Sequence, residues 1–283
     1  MKIGIVGSAD RAIAWEQHLR PHKTVSEVVI TSKLADIGNV DACILLDKSK
    51  QRIRHMLDAV KNGYHTFLVS PLPTDKQLVQ KIYHTAEESN VLLQFSHWPT
   101  LAPATKWMHK KIKRPSFIQV KREINHTDHL ESEYNFNYYW IDELALCLRW
   151  VNGAVHHMDL QTISVIEDTI QAIQMFLRFD SGATASIYIN TAAGETSHHR
   201  VVANNNYLLD CNVHEQSVRL GEASKKDHLY FKRHHFDASK SAEMAALEFI
   251  KSIQLNRPAI YNGHHLLELT KTIEKVEKKL ARV

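Results

Sequence analysis

The sequence predicts an α/β protein of two domains. The first, over residues 1–115, is a doubly wound parallel sheet. The second, over residues 116–283, is an α/β domain with a large, mostly antiparallel open sheet, its terminal helices free to pack back on the first domain. Three observations predict this. Strand and helix patterns alternate through the first part, as a parallel sheet with crossover helices requires. The chain opens on an apolar run, a small-residue turn and an amphipathic run. Beyond residue 155, long stretches alternate apolar and polar residues, as half-buried antiparallel strands do. A chain of 283 residues is long enough to bury two cores.

The opening is Met1-Lys2-Ile3-Gly4-Ile5-Val6-Gly7-Ser8-Ala9-Asp10-Arg11-Ala12. Lys2 to Val6 reads as a buried strand and Arg11 to Leu19 as a helix. Glu27 to Thr31 is a second strand. Asp41 to Leu46 is a third, followed by a helix from Ser49 to Lys61 that Asn62-Gly63 stops. His65 to Val69 is the fourth strand. Thr74-x-x-Gln77 reads as a capping box for a helix running to Ser89. Val91 to Phe95 is the fifth strand, and Ala102 to Lys113 is helical.

The pattern then changes. Ser116 to Ile124 alternates as a strand, and Trp140 to Trp150 reads as a helix. After Asn152-Gly153 come three long strands, Val155 to Ile166, Thr169 to Phe179 and Ala183 to Asn190. Asp180-Ser181-Gly182 is the hairpin turn between the last two. Shorter strands follow at Arg200 to Ala203, Tyr207 to Cys211 and Ser217 to Leu220. Helices from Lys240 to Leu255 and from Gly263 close the chain. Large open sheets seldom stay bare, so one sheet face is expected to join copies into a homodimer or a higher homo-oligomer.

Composition narrows the classes of function. The net charge is +4. The densest basic run, Lys110-Lys111-Ile112-Lys113-Arg114, suits a helix end, where cations complement the dipole. It has neither the aromatic partners nor the breadth of a nucleic-acid face, and no nucleic-acid partner is expected. Cys43, Cys147 and Cys211 are far apart and read as small core residues. The histidine pairs His156-His157, His198-His199, His234-His235 and His264-His265 lack the i, i+4 spacing of a helical metal site, so no metal is expected. No apolar run approaches the ~20 residues of a membrane span. Neither a membrane segment nor a leader is expected, and the expected compartment is the cytoplasm.

A strand, a small-residue turn and a helix make up the start of a Rossmann dinucleotide-binding unit, with pyrophosphate at the positive end of the helix. The turn here is Gly7-x-Ala9-x-x-Ala12, where the fingerprint has G-x-G-x-x-G/A, and Ala9 adds a methyl where phosphate lies closest. Such sheets bind ligands beyond the carboxyl ends of their strands. That gathers Gly7, Ser8, Ala9, Asp10, Arg11, Ser32, Lys33, Leu46, Ser70 and Pro71 as cofactor-binding candidates. An acidic residue ending the second strand would hold the ribose hydroxyls of NAD. Thr31-Ser32-Lys33 stands there instead, which favours NADP, because serine and lysine suit its 2′-phosphate. Asp47 counts against tight binding unless Arg11 or Lys48 neutralises it.

The whole chain resembles the glucose-fructose oxidoreductase / inositol dehydrogenase family (Gfo/Idh/MocA). The resemblance rests on the opening strand-turn-helix, on Asp41-Ala42-Cys43-Ile44-Leu45-Leu46 and on Ala59-Val60-Lys61-Asn62-Gly63-Tyr64-His65-Thr66-Phe67-Leu68. It continues through Leu148-Arg149-Trp150-Val151-Asn152-Gly153, and through the run from Asp168-Thr169 to Phe179-Asp180-Ser181-Gly182-Ala183, in the family's order. It implies an NAD(P)-dependent oxidoreductase acting on a small polyol, sugar or carbonyl compound. The alternative is a non-catalytic member that serves as a binding or assembly protein, with dinucleotide affinity low or lost.

The departures bear on the chemistry. The family carries Glu-Lys-Pro after its fourth strand, and here Val69-Ser70-Pro71 stands there without the lysine. The family's active-site helix carries Asp-x-Gly-x-His-x-x-Asp. Aligned on Arg149-Trp150, those four positions are Tyr139, Ile141, Glu143 and Leu146. Hydride transfer needs no protein acid, but oxidising an alcohol needs a base for the hydroxyl proton. Glu143 and Asp142 are the catalytic candidates. Glu143 is expected to line a cleft, with its pKa raised toward neutrality by burial. The alternative is that both carboxylates merely solvate a helix N-terminus.

Overall fold

The computed structural model describes residues 1–46, 49, 51–132, 135–166, 169–223 and 228–281. The chain divides into two compact units. Unit 1 is Met1–Leu101 with Ser239–Lys271, and unit 2 is Ala102–Ala238 with Thr272–Val283. Among the described residues no helix is long and apolar enough to cross a membrane.

Unit 1 is a five-stranded parallel sheet. Its strands are β1 (Lys2–Val6), β2 (Glu27–Thr31), β3 (Ala42–Leu45), β4 (His65–Leu68) and β5 (Leu93–Phe95), in the order β2-β1-β3-β4-β5. β3 is buried on both faces, which is why Ala42–Leu45 reads as an unbroken apolar run; β4 is buried from Thr66 to Leu68. The crossover helices are α1 (Ala9–Leu19), α2 (Arg52–Lys61) and α3 (Lys76–Glu88), with a short α4 (Trp98–Leu101) after β5. Phe67 is fully buried at the centre of one face. Its ring lies 5.5 Å from that of Trp15 on α1 and 5.5 Å from that of Phe249. Asn62 and Gly63 (φ +79°) end α2 as the sequence predicts. α3 begins one residue later than the predicted capping box. Asp75 is the cap, its carboxylate accepting from Leu78 N at 2.9 Å, and Thr74 is not.

Unit 2 begins with α5 (Pro103–Lys111) and holds an eight-stranded sheet. Its strands are β6 (Phe117–Asn125), β7 (Val155–Ile163), β8 (Ala172–Phe179), β9 (Thr184–Ala193), β10 (Ser197–Ala203), β11 (Tyr207–Asn212), β12 (Ser217–Ala223) and β13 (Leu229–His235). The order is β13-β12-β11-β10-β6-β9-β8-β7, antiparallel throughout except for β6 beside β9. Two helices precede β7: α6 (His126–Glu131) and α7 (Phe136–Val151). Two close the chain. α8 (Ser241–Gln254) belongs to unit 1, and α9 (Gly263–Leu280) passes from unit 1 into unit 2 at Lys271.

α7 packs against β9, whose inward residues Ala185, Ile187 and Ile189 are buried. It ends at Asn152 in the left-handed conformation. The Asp180-Ser181-Gly182 turn forms as expected, with Gly182 at φ +83°. α6 and β13 were not in the sequence reading. β13 is an edge strand exposed along nearly its whole length, so it carries no period-2 burial signal. All three cysteines are buried, and His198 and His199 point to opposite faces of the sheet.

Candidate functional site

In unit 1 an open crevice of about 890 Å³ lies beyond the carboxyl ends of β1, β2 and β3. Gly7 N donates to Thr31 O at 3.0 Å and Leu46 N to Val6 O at 2.8 Å, so three chain segments meet at the turn. A Cβ on Gly7 would stand 2.8 Å from Leu46 Cβ, and this close approach is what requires glycine. Ser8 is the N-cap of α1 in an extended conformation with no side-chain cap, which leaves the first amides of the helix open to an anion. Arg11 Nη1 donates to Leu46 O and so braces the crevice wall. Thr31 Oγ1 accepts from Lys33 N at 3.2 Å and shapes the turn that carries Ser32 and Lys33.

Gly7, Ser8, Arg11, Ser32, Lys33 and Leu46 all line this crevice. Ala9 and Asp10 are exposed beside it without lining it. Asp47 and Lys48 lie outside the described residues. Ser70 and Pro71 are not part of its lining. Ser70 is buried in a reciprocal pair, its N donating to Ser96 Oγ and Ser96 Oγ donating to Ser70 O, both at 3.0 Å. The sequence reading missed Ser49, His55 and Asp58, which also line the crevice. The last two are one helical turn apart on α2, a spacing that marks a shared face but not which way the face looks.

In unit 2 a charged cluster sits between α7 and the sheet. Glu143 is fully buried. Arg200, on β10, donates from Nε to Glu143 Oε2 at 2.8 Å and from Nη2 to Oε1 at 2.7 Å, and its Nη1 reaches Thr105 Oγ1 at 3.1 Å. His198, two residues before Arg200 and on the same sheet face, has Nε2 3.1 Å from Glu143 Oε1, out of line for a hydrogen bond. Arg122, on the neighbouring β6 and in register with His198, lies 4.0 Å from Glu143 Oε1, its guanidinium 4.6 Å from the ring centre of Tyr139.

These contacts correct the expectation for Glu143. Burial, the largest single influence, acts to raise its pKa, but the paired charge of Arg200 and the proximity of His198 outweigh it. The carboxyl is held well below the usual carboxylate range. Glu143 is therefore a fixed anion inside the unit, neither a group poised near neutrality nor a residue on a cleft wall. Tyr139, Ile141 and Leu146, the other aligned positions, are buried beside it. His198 is pushed down to about 4 by burial and is neutral at pH 7. Asp142, next on the helix and only half-buried, behaves oppositely. Burial pushes it up to about 7, Arg122 opposes the rise and Glu143 adds to it. Of the two candidate carboxylates, it is Asp142 and not Glu143 whose pKa is shifted toward neutrality.

No protein-family model matches this sequence, and no curated protein does. Solved structures match it over nearly the whole chain. UDP-N-acetylglucosamine 3-dehydrogenase from Acidithiobacillus ferrooxidans is similar with a TM-score of 0.80 at 12% identity, over 98% of this chain and 96% of that one. An NAD-binding oxidoreductase from Klebsiella pneumoniae gives 0.80 at 13% identity, over 100% and 98%. Levoglucosan dehydrogenase in complex with NADH gives 0.78 at 10% identity, over 100% and 97%. The fold is that of the Gfo/Idh/MocA-type NAD-binding dehydrogenases: a Rossmann-like parallel sheet plus a larger, mostly antiparallel one.

Proposed function

We propose that the protein is an NAD(P)-dependent oxidoreductase acting on a small polyol, sugar or carbonyl compound. The observation that carries this reading is the crevice at Gly7. It sets a glycine turn, an uncapped helix N-terminus and the Ser32-Lys33 turn around a volume suited to a cofactor. The solved structures of similar fold include dehydrogenases of a nucleotide sugar and of levoglucosan, which supports a sugar-like substrate. In this reading Gly7, Ser8, Ala9, Asp10 and Arg11 flank the pyrophosphate, Ser32 and Lys33 meet the 2′-phosphate, Leu46 packs against the cofactor, and Ser70 and Pro71 support its nicotinamide end. The bound dinucleotide supplies the hydride acceptor or donor. Asp142 takes the hydroxyl proton on oxidation and returns it on reduction. Glu143, clasped by Arg200, keeps α7 seated and keeps a negative charge beside Asp142.

Titration of the purified protein with NADPH and NADH, read by nicotinamide fluorescence, tests the proposal. The expected result is binding of both with NADPH tighter, and a Lys33→Glu variant that loses the preference. Equal or tighter binding of NADH overturns the 2′-phosphate assignment. Absence of binding by either at millimolar concentration overturns the oxidoreductase reading and favours a binding or assembly role.

A further inference from the structure

Unit 2 holds a second feature that the dehydrogenase reading leaves unused. The Arg122 side chain is only 23% exposed, yet among the described residues it donates no hydrogen bond. It rests on the face of Tyr139, and its nearest carboxylate oxygen, on Glu143, is 4.0 Å away. That carboxylate is already engaged by two hydrogen bonds from Arg200. A guanidinium has five donors in a fixed fork that matches the oxygens of a carboxylate or phosphate. Stacking on a ring holds that fork in one orientation and lowers the entropy lost when a ligand is gripped.

Charge points the same way. Among the described residues, two arginines stand against one permanently ionised carboxylate, Glu143. The neighbouring carboxyl of Asp142 is pushed toward neutrality at physiological pH. His214 lies close by, and the charge of Arg122 helps to depress its pKa, after burial. The exposed side of the cluster is thus left with a surplus positive charge in a partly desolvated setting, where an anion is favoured.

We infer that Arg122 anchors an anionic oxygen group, a carboxylate or a phosphate, at the non-reacting end of the substrate. The substrates are then sugar acids or sugar phosphates and not neutral polyols, an assignment that rests on the oxidoreductase reading above. A group gripped by Arg122 sits beside Asp142, so the same contact orients the hydroxyl whose proton Asp142 takes.

The test uses calorimetry on the whole protein with three probes: glucuronate, glucose 6-phosphate and glucose. The expected result is that at least one anionic probe binds ten-fold or more tighter than glucose, and that Arg122→Gln removes the difference. Arg122→Lys restores part of it, since lysine keeps the charge but not the fork. The two anionic arms separate carboxylate from phosphate recognition. Melting curves of both variants show whether folding is intact, and the lysine variant carries the test if the glutamine variant unfolds. Equal binding of glucose and both anions, retention of the preference in Arg122→Gln, or no binding of any probe at millimolar concentration overturns the inference. Anion preference that depends on Arg122 in a protein that binds neither NADPH nor NADH leaves the anion site standing and overturns the oxidoreductase reading alone.

Discussion

Arg200 grips Glu143 through two hydrogen bonds, at 2.7 and 2.8 Å, where neither side chain is more than 2% exposed. This pair ties α7 to β10. Two buried charges are tolerated because each is the other's solvation, and removing one strands the other. Glu143→Gln is expected to cost about 3–5 kcal/mol. Replacing both together, as in Glu143→Leu with Arg200→Met, is expected to cost much less. Urea unfolding of the parent and the two variants checks this. A glutamine variant of near-normal stability would show that the pair is not the anchor.

If Asp142 is the base of the proposed reaction, Asp142→Asn removes the proton acceptor without disturbing the Arg200 pair. Turnover should fall by ~10²–10⁴, the usual cost of losing a positioned acid or base. On the proposed reading, alcohol oxidation by the parent protein needs Asp142 ionised, so kcat/KM should rise with pH through about 7. The asparagine variant should lose that limb of the profile. A variant that keeps the same limb would exclude Asp142 as the base.

Acidification should draw stability from two histidines whose pKa burial lowers, while Asp142, pushed up to about 7, takes its proton more readily in the folded state and acts in the opposite direction. Burial pushes His198 down to about 4 in the folded state, against about 6.5 unfolded. The unfolded chain therefore takes a proton that the folded chain refuses. Stability present above pH 6.5 is lost as pH falls toward 4, on the order of 3 kcal/mol from this residue. His109, also pushed down to about 4 by burial, with Arg149 and Lys113 adding to the effect, acts in the same direction. Between pH 6.5 and 4 the melting temperature of His198→Gln should fall less, or rise more, than that of the parent. An identical slope in the variant would refute the assignment to His198.

Gly7→Ala should damage the crevice more than its single methyl suggests. The added carbon meets Leu46 Cβ at 2.8 Å, and both residues end central strands. Overpacking at such a point costs about 1–3 kcal/mol. Dinucleotide affinity should drop at least ten-fold while the far-ultraviolet spectrum is retained. Unchanged affinity would show that the turn does not contact the cofactor.

The open face of the large sheet exposes Phe176 (51%), Leu208 (45%) and Phe117 (40%), with Ile163 (56%) at one end. The expected outcome is a homodimer joined through this face by a twofold axis. Light scattering should show twice the chain mass at micromolar concentration, and Phe176→Arg should shift it toward monomer. A parent protein that is monomeric under those conditions overturns the expectation.

Much of unit 1 was readable because the short buried strands β1, β3 and β4 carry apolar cores, and Gly7 and Gly63 mark the turn after β1 and the end of α2. The long strands β8 and β9 were readable because alternate residues meet the core. β13 escaped because Leu229, Tyr230 and Phe231 are all exposed, so no face stands out. The crevice lining from α2 escaped because His55 and Asp58 lie on a helix whose turning direction only the fold decides. The greater error concerned Glu143. Spacing placed it on the right helix, but its ionisation depends on Arg200, 57 residues downstream, and no local pattern announces that partner. Burial by itself raises a carboxylate's pKa, and burial against an arginine lowers it.

The order in which the ribosome delivers this chain runs against the order in which its parts can close. The cluster around Phe67 in unit 1 includes Ala245, Ala246, Phe249 and Ile250 of α8, so beyond the cover that α1 gives, that face of the N-terminal sheet stays open until the chain is nearly complete. β6 has to wait for β9 and β10 before either of its edges is paired. A nascent chain cut off before Ser241 would present Trp15 and Phe67 on an unsealed apolar face. Such a face is a target for chaperones and a seed for aggregation.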